Sequence, residues 1–516
     1  MLIKFDGGVH MSNLSSKFVL FIGCFSSLFI DNVVFEKEEK NMPSEITKNK
    51  TTILERISRV EKGLVPAIRI QDVPHTQRNL LEQMRELKAP AASIAVINDG
   101  KIEWAKAYGV FFTASDQKVN TQTRFQAGSV SKPVAAFAIL SLVNKGLIGL
   151  DEDVNDKLTS WKIPENEYTK TNKVTLRHLL SHSSGLNVIG FDGYRKNDPI
   201  PTMTQTLEGL PPANNPPVHV EFTPGSKMSY SGGGYNVAQQ LVEDVINVPF
   251  KQFMNTVLLN PLEMNESTFE CLDVDKSTNV AYAHPTDGVP ISGGWKTYPE
   301  SAAAGLWTTP IDLAKWLIEI QDGLVSEGIS HILSKNLLET MITPQIGVHG
   351  LGPVINGQGS QLELNHKGRT DGFTCGFVSF PYLKQGAVVM TNSGNETALV
   401  DDILRSIAFE YNWPSYAVKT KTTIELPIET LEKYIGRYGW GEKTNEIYDL
   451  FIFRENNELF WKIGNTSNPN KLYAQALNEF FLLDTGYEVV FNDTNGSITS
   501  LTIIVQPGFE REFKKF

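Results

Sequence analysis

Hydrophobic and polar positions change rhythm several times along this chain. Residues 133–143 are apolar nearly all the way round a helical wheel, which predicts a buried helix. Proline is tolerated only in the first turn, so Pro133 sets the expected start of that helix near Ser129. Val237, Ala238, Leu241, Val242 and Val245 repeat at helical spacing and predict a second helix, entered through a turn that carries Tyr230. Residues 53–87 also show helical spacing, with charges on one face. Elsewhere the period is two. Residues 93–97 and 101–108 flank Asn98-Asp99-Gly100, a strong hairpin signal because the type I′ turn needs positive φ. Residues 376–380 and 386–392 read as neighbouring strands. An extended 363–370 segment places His366, Gly368 and Thr370 on one face and Arg369 on the other. From about Leu426 the pattern becomes a series of short strands, at 447–453, 459–463, 480–483, 487–491 and 498–505, joined by turns such as Asn456-Asn457 and Asn495-Gly496. That stretch predicts a small separate all-β domain.

Composition narrows the function. At 516 residues the chain is long enough for a large core and two or more domains. A net charge of -11 without a long basic run argues against nucleic-acid binding. C-x-x-C, H-E-x-x-H, G-x-x-x-x-G-K-[ST] and G-x-S-x-G are all missing, so zinc, nucleotide and α/β-hydrolase chemistry lack their usual signatures. Cys24, Cys271 and Cys375 do not make a disulfide framework, and whether Cys271 and Cys375 pair is left open. Lys17 precedes thirteen uncharged residues, 18–30, which resemble a signal-peptide apolar region and are short for a membrane span. Export is therefore expected, periplasmic, membrane-anchored or secreted, with a buried apolar segment of a cytosolic protein as the alternative.

Ser129 and Lys132 stand three residues apart, on one face of the predicted helix and at its positive end. An alcohol is a weak nucleophile until a base takes its proton. A lysine serves when desolvation or a neighbouring positive charge lowers its pKa. Tyr230 gains interest only beside that pair, where a phenolate could exchange protons. Glycine at 368 would let a substrate backbone lie close. His178 and His182 fall at i, i+4, but with no third ligand in sight the stretch reads as a helix and turn rather than a metal site.

Ser-x-x-Lys at 129, Tyr-Ser-Gly at 230 and His-Lys-Gly at 366, in that order, resemble the serine β-lactamase and penicillin-binding superfamily. The nearest branch is class C-like, with its DD-peptidases and β-lactamase-related esterases and aminopeptidases. Leu179-Leu-Ser-His-Ser-Ser-Gly-Leu and Ala304-Gly-Leu-Trp-Thr-Thr add to the resemblance. It implies an α+β fold, an antiparallel sheet with flanking helices beside an all-helical lobe, followed by the small all-β domain, which resembles a lipocalin-like module. The implied division is a signal or anchor segment at 1–35, a linker and N-terminal helix at 36–75, a catalytic domain at 76–415 and the β domain at 425–516. The resemblance implies that Ser129 forms an acyl-enzyme and that Lys132 and Tyr230 share the proton transfers. The Ser129 N–H and one from the His366 strand would make the oxyanion hole. Substrate would be held by His366, Gly368, Gly232 and Thr370. No metal or cofactor is implied, and the partner is a small-molecule or peptide substrate. Many members carry asparagine where Gly232 stands and lysine where His366 stands. Weak β-lactam turnover beside ester, peptide or D-amino-acid amide hydrolysis is therefore expected. A histidine with pKa about 6.5 would regain charge as pH falls from about 8 to about 6 and then favour carboxylate-bearing substrates. The competing expectation is a non-catalytic binding or cell-envelope regulatory protein on the same fold.

Overall fold

The structure is a computed structural model that describes residues 44–516, apart from 75–76, 326–331, 395–396, 440–448, 465–468 and 507–508. The apolar segment 18–30 and Cys24 lie outside the described residues.

A six-stranded sheet organises the larger part of the chain. Its strands run in the order Lys101–Gly109, Ala91–Asn98, Gln385–Thr391, Phe373–Phe380, Glu363–Thr370, Val354–Asn356. Every neighbouring pair is antiparallel. The hairpin at Asn98-Asp99-Gly100 is present, with Asp99 at φ 52° and Gly100 at φ 70°, as the type I′ turn demands. Side chains alternate between two cores. Ala91, Ala95 and Ile97 enter one cluster with the helices Ser131–Asn144 and Pro310–Val325. Ala92, Ile94 and Val96 enter the other, with the helix Ala398–Glu410 and Val60 from Ser44–Lys62. Both faces of the sheet are thus covered by helices.

The helical spacing of residues 53–87 is not one helix. Ser44–Lys62 ends, Ile68–Ile70 is extended, and Leu80–Glu86 starts again. Gly63, Pro66 and Pro74 fall in the gap, where proline removes a donor and disfavours helix before it.

The C-terminal strands close into an eight-stranded antiparallel barrel from Gly436–Gly439 to Phe509–Lys515. Three of its strands escaped the sequence pattern: Gly436–Gly439, Asn470–Ala476 and Phe509–Lys515. Each is short or rich in glycine, amide or charge. Pairing on both edges of a closed barrel supplies what their composition lacks. Leu431 and Tyr434, from the helix Ile428–Tyr434, join Trp461, Phe480 and Phe491 in the barrel core.

The barrel is fastened behind the sheet. Ile68 N–H donates to Leu483 O (3.0 Å), Arg405 Nη2 donates to Asp484 O (2.8 Å), and Arg78 pairs with the Asp484 carboxylate (2.9 Å). Arg405 is buried and also pairs with buried Asp402. A chain ending after Lys421 keeps both sheet cores intact and is expected to fold. Its Arg405 loses an acceptor, so it should be less stable than the full chain by roughly 1–3 kcal/mol. Denaturant unfolding of both chains measures this, and an insoluble product without a cooperative transition would contradict it.

Candidate active site

Ser129 does not stand in the long helix itself. A single 3-10 turn, Gly128–Val130, precedes the helix Ser131–Asn144. The turn leaves Ser129 partly exposed while the helix buries Lys132 to 3% exposure. Lys132 Nζ lies 3.2 Å from Ser129 Oγ and donates to Ala303 O at 2.8 Å. Ala303 comes from the short helix Ser301–Ala304, packed against the long one. Burial alone brings the Lys132 pKa down from its usual 10.5 to about 7, with no acidic side chain contributing.

Tyr230 faces the pair from the turn before the helix Gly232–Ile246. Ser231 caps that helix by accepting from Gly234 N–H (3.0 Å). Lys132 Nζ sits 5.0 Å from the centre of the Tyr230 ring. Burial pushes the Tyr230 pKa up, and a hydrogen bond with Ser129 holds it back. Tyr230 is therefore a phenol at neutral pH, not a phenolate.

Two histidines complete this wall: His182, which the sequence reading assigned only to a helix and turn, and His349, which it did not single out. The helix Leu176–Leu180 ends before His182, which takes φ 59° and swings its ring to 4.2 Å from that of Tyr230. His182 Nδ1 accepts from Ser231 N–H (3.1 Å), so its proton is on Nε2. Nε2 is buried without a partner among the described residues, and so is His349 Nδ1. The two rings meet edge-on, 5.6 Å apart. Burial holds both histidines below the ordinary pKa, and His349, Lys132 and His366 lower His182 further. His178, by contrast, is committed to the cap of its own helix, with Thr175.

The strand Glu363–Thr370 forms the opposite wall. His366, Gly368 and Thr370 are buried on one face, while Lys367 and Arg369 are exposed on the other. A Cβ at Gly368 would lie 1.9 Å from Ala127 O and 2.9 Å from Ser129 N. One at Gly128, itself at φ 52°, would lie 2.7 Å from Arg369 N. The space that was expected to admit substrate at Gly368 is therefore filled by the Gly128–Val130 turn that carries Ser129. Thr370 Oγ1 donates to Gln126 Oε1 (2.7 Å), and Gln126 Nε2 donates to Lys296 O (2.7 Å). Gly232 offers substrate no free group. Its N–H donates to Ile189 O (3.1 Å), and a Cβ there would meet Phe191 Cε2 at 2.8 Å.

His366 differs most from expectation. Burial, then the neighbouring Lys132 and His349, holds its pKa near 3 despite the hydrogen bond to the Lys367 backbone. The ring stays neutral between pH 6 and 8, so it regains no charge there. Its Nδ1–H donates to Lys367 O (2.8 Å), which leaves Nε2 an acceptor.

The Beta-lactamase family matches residues 76–410. The chain belongs to this family. Its relatives include Protein flp of Staphylococcus aureus (strain N315), 24% identical over 319 residues, a match that spans 60% of this chain and 60% of that protein. The octameric penicillin-binding protein homologue from Pyrococcus abyssi superposes with a TM-score of 0.58 at 22% identity, covering 91% of this chain and 100% of the other. SurE in complex with D-Leu gives a TM-score of 0.52 at 19% identity, over 85% and 97%. Membership places the chain among the serine β-lactamases and penicillin-binding proteins. Both cysteines in the described region, Cys271 and Cys375, are free thiols.

For this β-lactamase-family site, Gly368→Ala should be more damaging than a surface glycine change. The added methyl has to push the strand off the Ser129 turn. A loss of at least tenfold in the rate at which a fluorophosphonate probe labels Ser129, together with a lower Tm, is the expected outcome. A variant with unchanged labelling kinetics would show that the strand can retreat without cost.

Proposed function

We propose that this protein is a serine hydrolase that works through an acyl-enzyme on Ser129. The observation that carries the reading is the buried Lys132 amine, 3.2 Å from Ser129 Oγ and anchored on Ala303 O. With its pKa near 7, much of Lys132 is unprotonated at neutral pH and able to take the serine proton. Tyr230, still protonated, then suits the other half of the cycle. It gives a proton to the leaving group and recovers one as water attacks the acyl-enzyme. Ser129 N–H, which makes no hydrogen bond among the described residues, is free for the oxyanion. A donor from the strand that crosses Gly128 would complete the hole.

The substrate is an ester, a peptide or a D-amino-acid amide whose reacting end is uncharged. His366 presents a lone pair where a carboxylate would need a donor, and Arg369 lies on the exposed face. Turnover of β-lactams, which bear a carboxylate, is accordingly weak. The likeness to a fold solved with D-Leu supports the D-amino-acid class.

A fluorophosphonate probe followed by mass spectrometry should place the adduct on Ser129. The signal should vanish in Ser129→Ala and fall strongly in Lys132→Ala. Efficient labelling of the alanine variant at 129 would sink the assignment. The pH dependence follows from Lys132. Below pH 7 it is protonated and unable to act as base; above pH 7 it is free. kcat/KM should therefore rise about tenfold per pH unit on the acid side and level off above about pH 7. For a matched ester pair, with and without a carboxylate, the kcat/KM ratio should stay flat from pH 6 to 8. Both substrates need the same form of Lys132, and His366 does not titrate in that range. A ratio that climbs as pH falls would show a second titrating group in the binding site.

A further inference from the structure

The surroundings of Tyr230 and of Gly232 differ in chemistry. Nitrogen groups gather at Tyr230: Lys132, His182 and His366 all lie within 6.4 Å of the ring centre, and the His349 ring is 5.6 Å from that of His182. Two residues along the chain, at Gly232, the surroundings are apolar. The segment 187–191 is bonded to the start of the Gly232–Ile246 helix. Ser231 Oγ donates to Asn187 O (2.8 Å), and Gly232 N–H donates to Ile189 O (3.1 Å). Phe191 fills the volume that a side chain at 232 would take, with Cε2 2.8 Å from the position of its Cβ. The ring is half-buried against the main core, and Ile189 is 47% exposed beside it. A phenyl ring left half-open beside a catalytic tyrosine, with no polar group of residue 232 to compete, is a surface for an apolar substituent.

The hydrolytic cycle decides which half of the substrate uses it. The leaving group must receive a proton from Tyr230, and water must later enter where it departed. That half belongs with the nitrogen groups around Tyr230. The half that remains attached to Ser129 gains from a dry wall. We infer that the acyl half of the substrate carries an apolar group, and that Phe191, with Ile189 beside it, is the specificity-determining surface that receives it. This rests on the acyl-enzyme reading above.

The test is a series of p-nitrophenyl esters, acetate to hexanoate, with the wild type, Phe191→Ala and Phe191→Leu. In the wild type kcat/KM should rise roughly two- to fourfold per added methylene until the surface is covered. Phe191→Ala should cut the hexanoate-to-acetate ratio at least tenfold, and Phe191→Leu should keep most of it. Fluorophosphonate labelling at Ser129 reports whether each variant retains a folded site. A wild type that labels but shows no gain with chain length, or a labelled Phe191→Ala that keeps the wild-type slope, overturns the inference and leaves the acyl-enzyme reading intact. A gain confined to esters lengthened on the alcohol side also overturns it. A wild type that fails to label at all overturns both.

Discussion

Everything at the site depends on how closely one strand approaches one turn. The Glu363–Thr370 strand and the Gly128–Val130 turn meet backbone to backbone, through Gly368 on one side and Gly128 on the other. That approach leaves Ser129 beside the strand with its N–H uncommitted among the described residues. The same packing buries Lys132 at the start of the following helix, and burial is what lowers its pKa. Thr370 and Gln126 then tie the strand to the segment that precedes Ser129.

Around this contact the charges are arranged by omission. Lys132 lowers the pKa of two histidines, His182 and His366, and draws no shift from any carboxylate. Those two imidazoles are held down by burial and by the lysine itself, and His349 by burial alone, so the four basic nitrogen groups share few protons. An acidic neighbour would stabilise the lysine cation and remove the base. In physical terms the site obtains a base near neutral pH from dryness rather than from a charged partner.

Much of this was legible in the sequence, where it depended on local chemistry. The Asp99-Gly100 turn announced its hairpin, and the all-round apolar run announced the buried helix behind Ser129. Period-two spacing assigned His366, Gly368 and Thr370 to one face. What failed depended on depth and on interrupted geometry. Spacing indicates which face His366 occupies but not how far it lies from water or which cations surround it. The i, i+4 argument for His178 and His182 assumed an unbroken helix. The helix stops at Leu180, and a left-handed residue sends His182 elsewhere. The stretch Leu179-Leu-Ser-His-Ser-Ser-Gly, noted for its resemblance to the family, was the available signal. Gly368 was read as letting a substrate backbone lie close, and Gly232 as a position that holds substrate. In fact the protein fills both spaces itself, with Phe191 and with the Ala127–Ser129 backbone. The three missed barrel strands owe their form to closure, which no single segment records.

The glycine-to-glycine contact has an evolutionary corollary. Neither position can drift through small side chains, because even a methyl group collides with backbone that has nowhere to go. Descendants of this sequence have no graded path for reshaping the floor of the site. Novelty must enter from the periphery, through the 187–191 segment, where a ring can shrink, grow or turn polar while the nucleophile's setting stays the same. New chemistry in this lineage is then a matter of redecorating the doorway, with the hearth left as inherited.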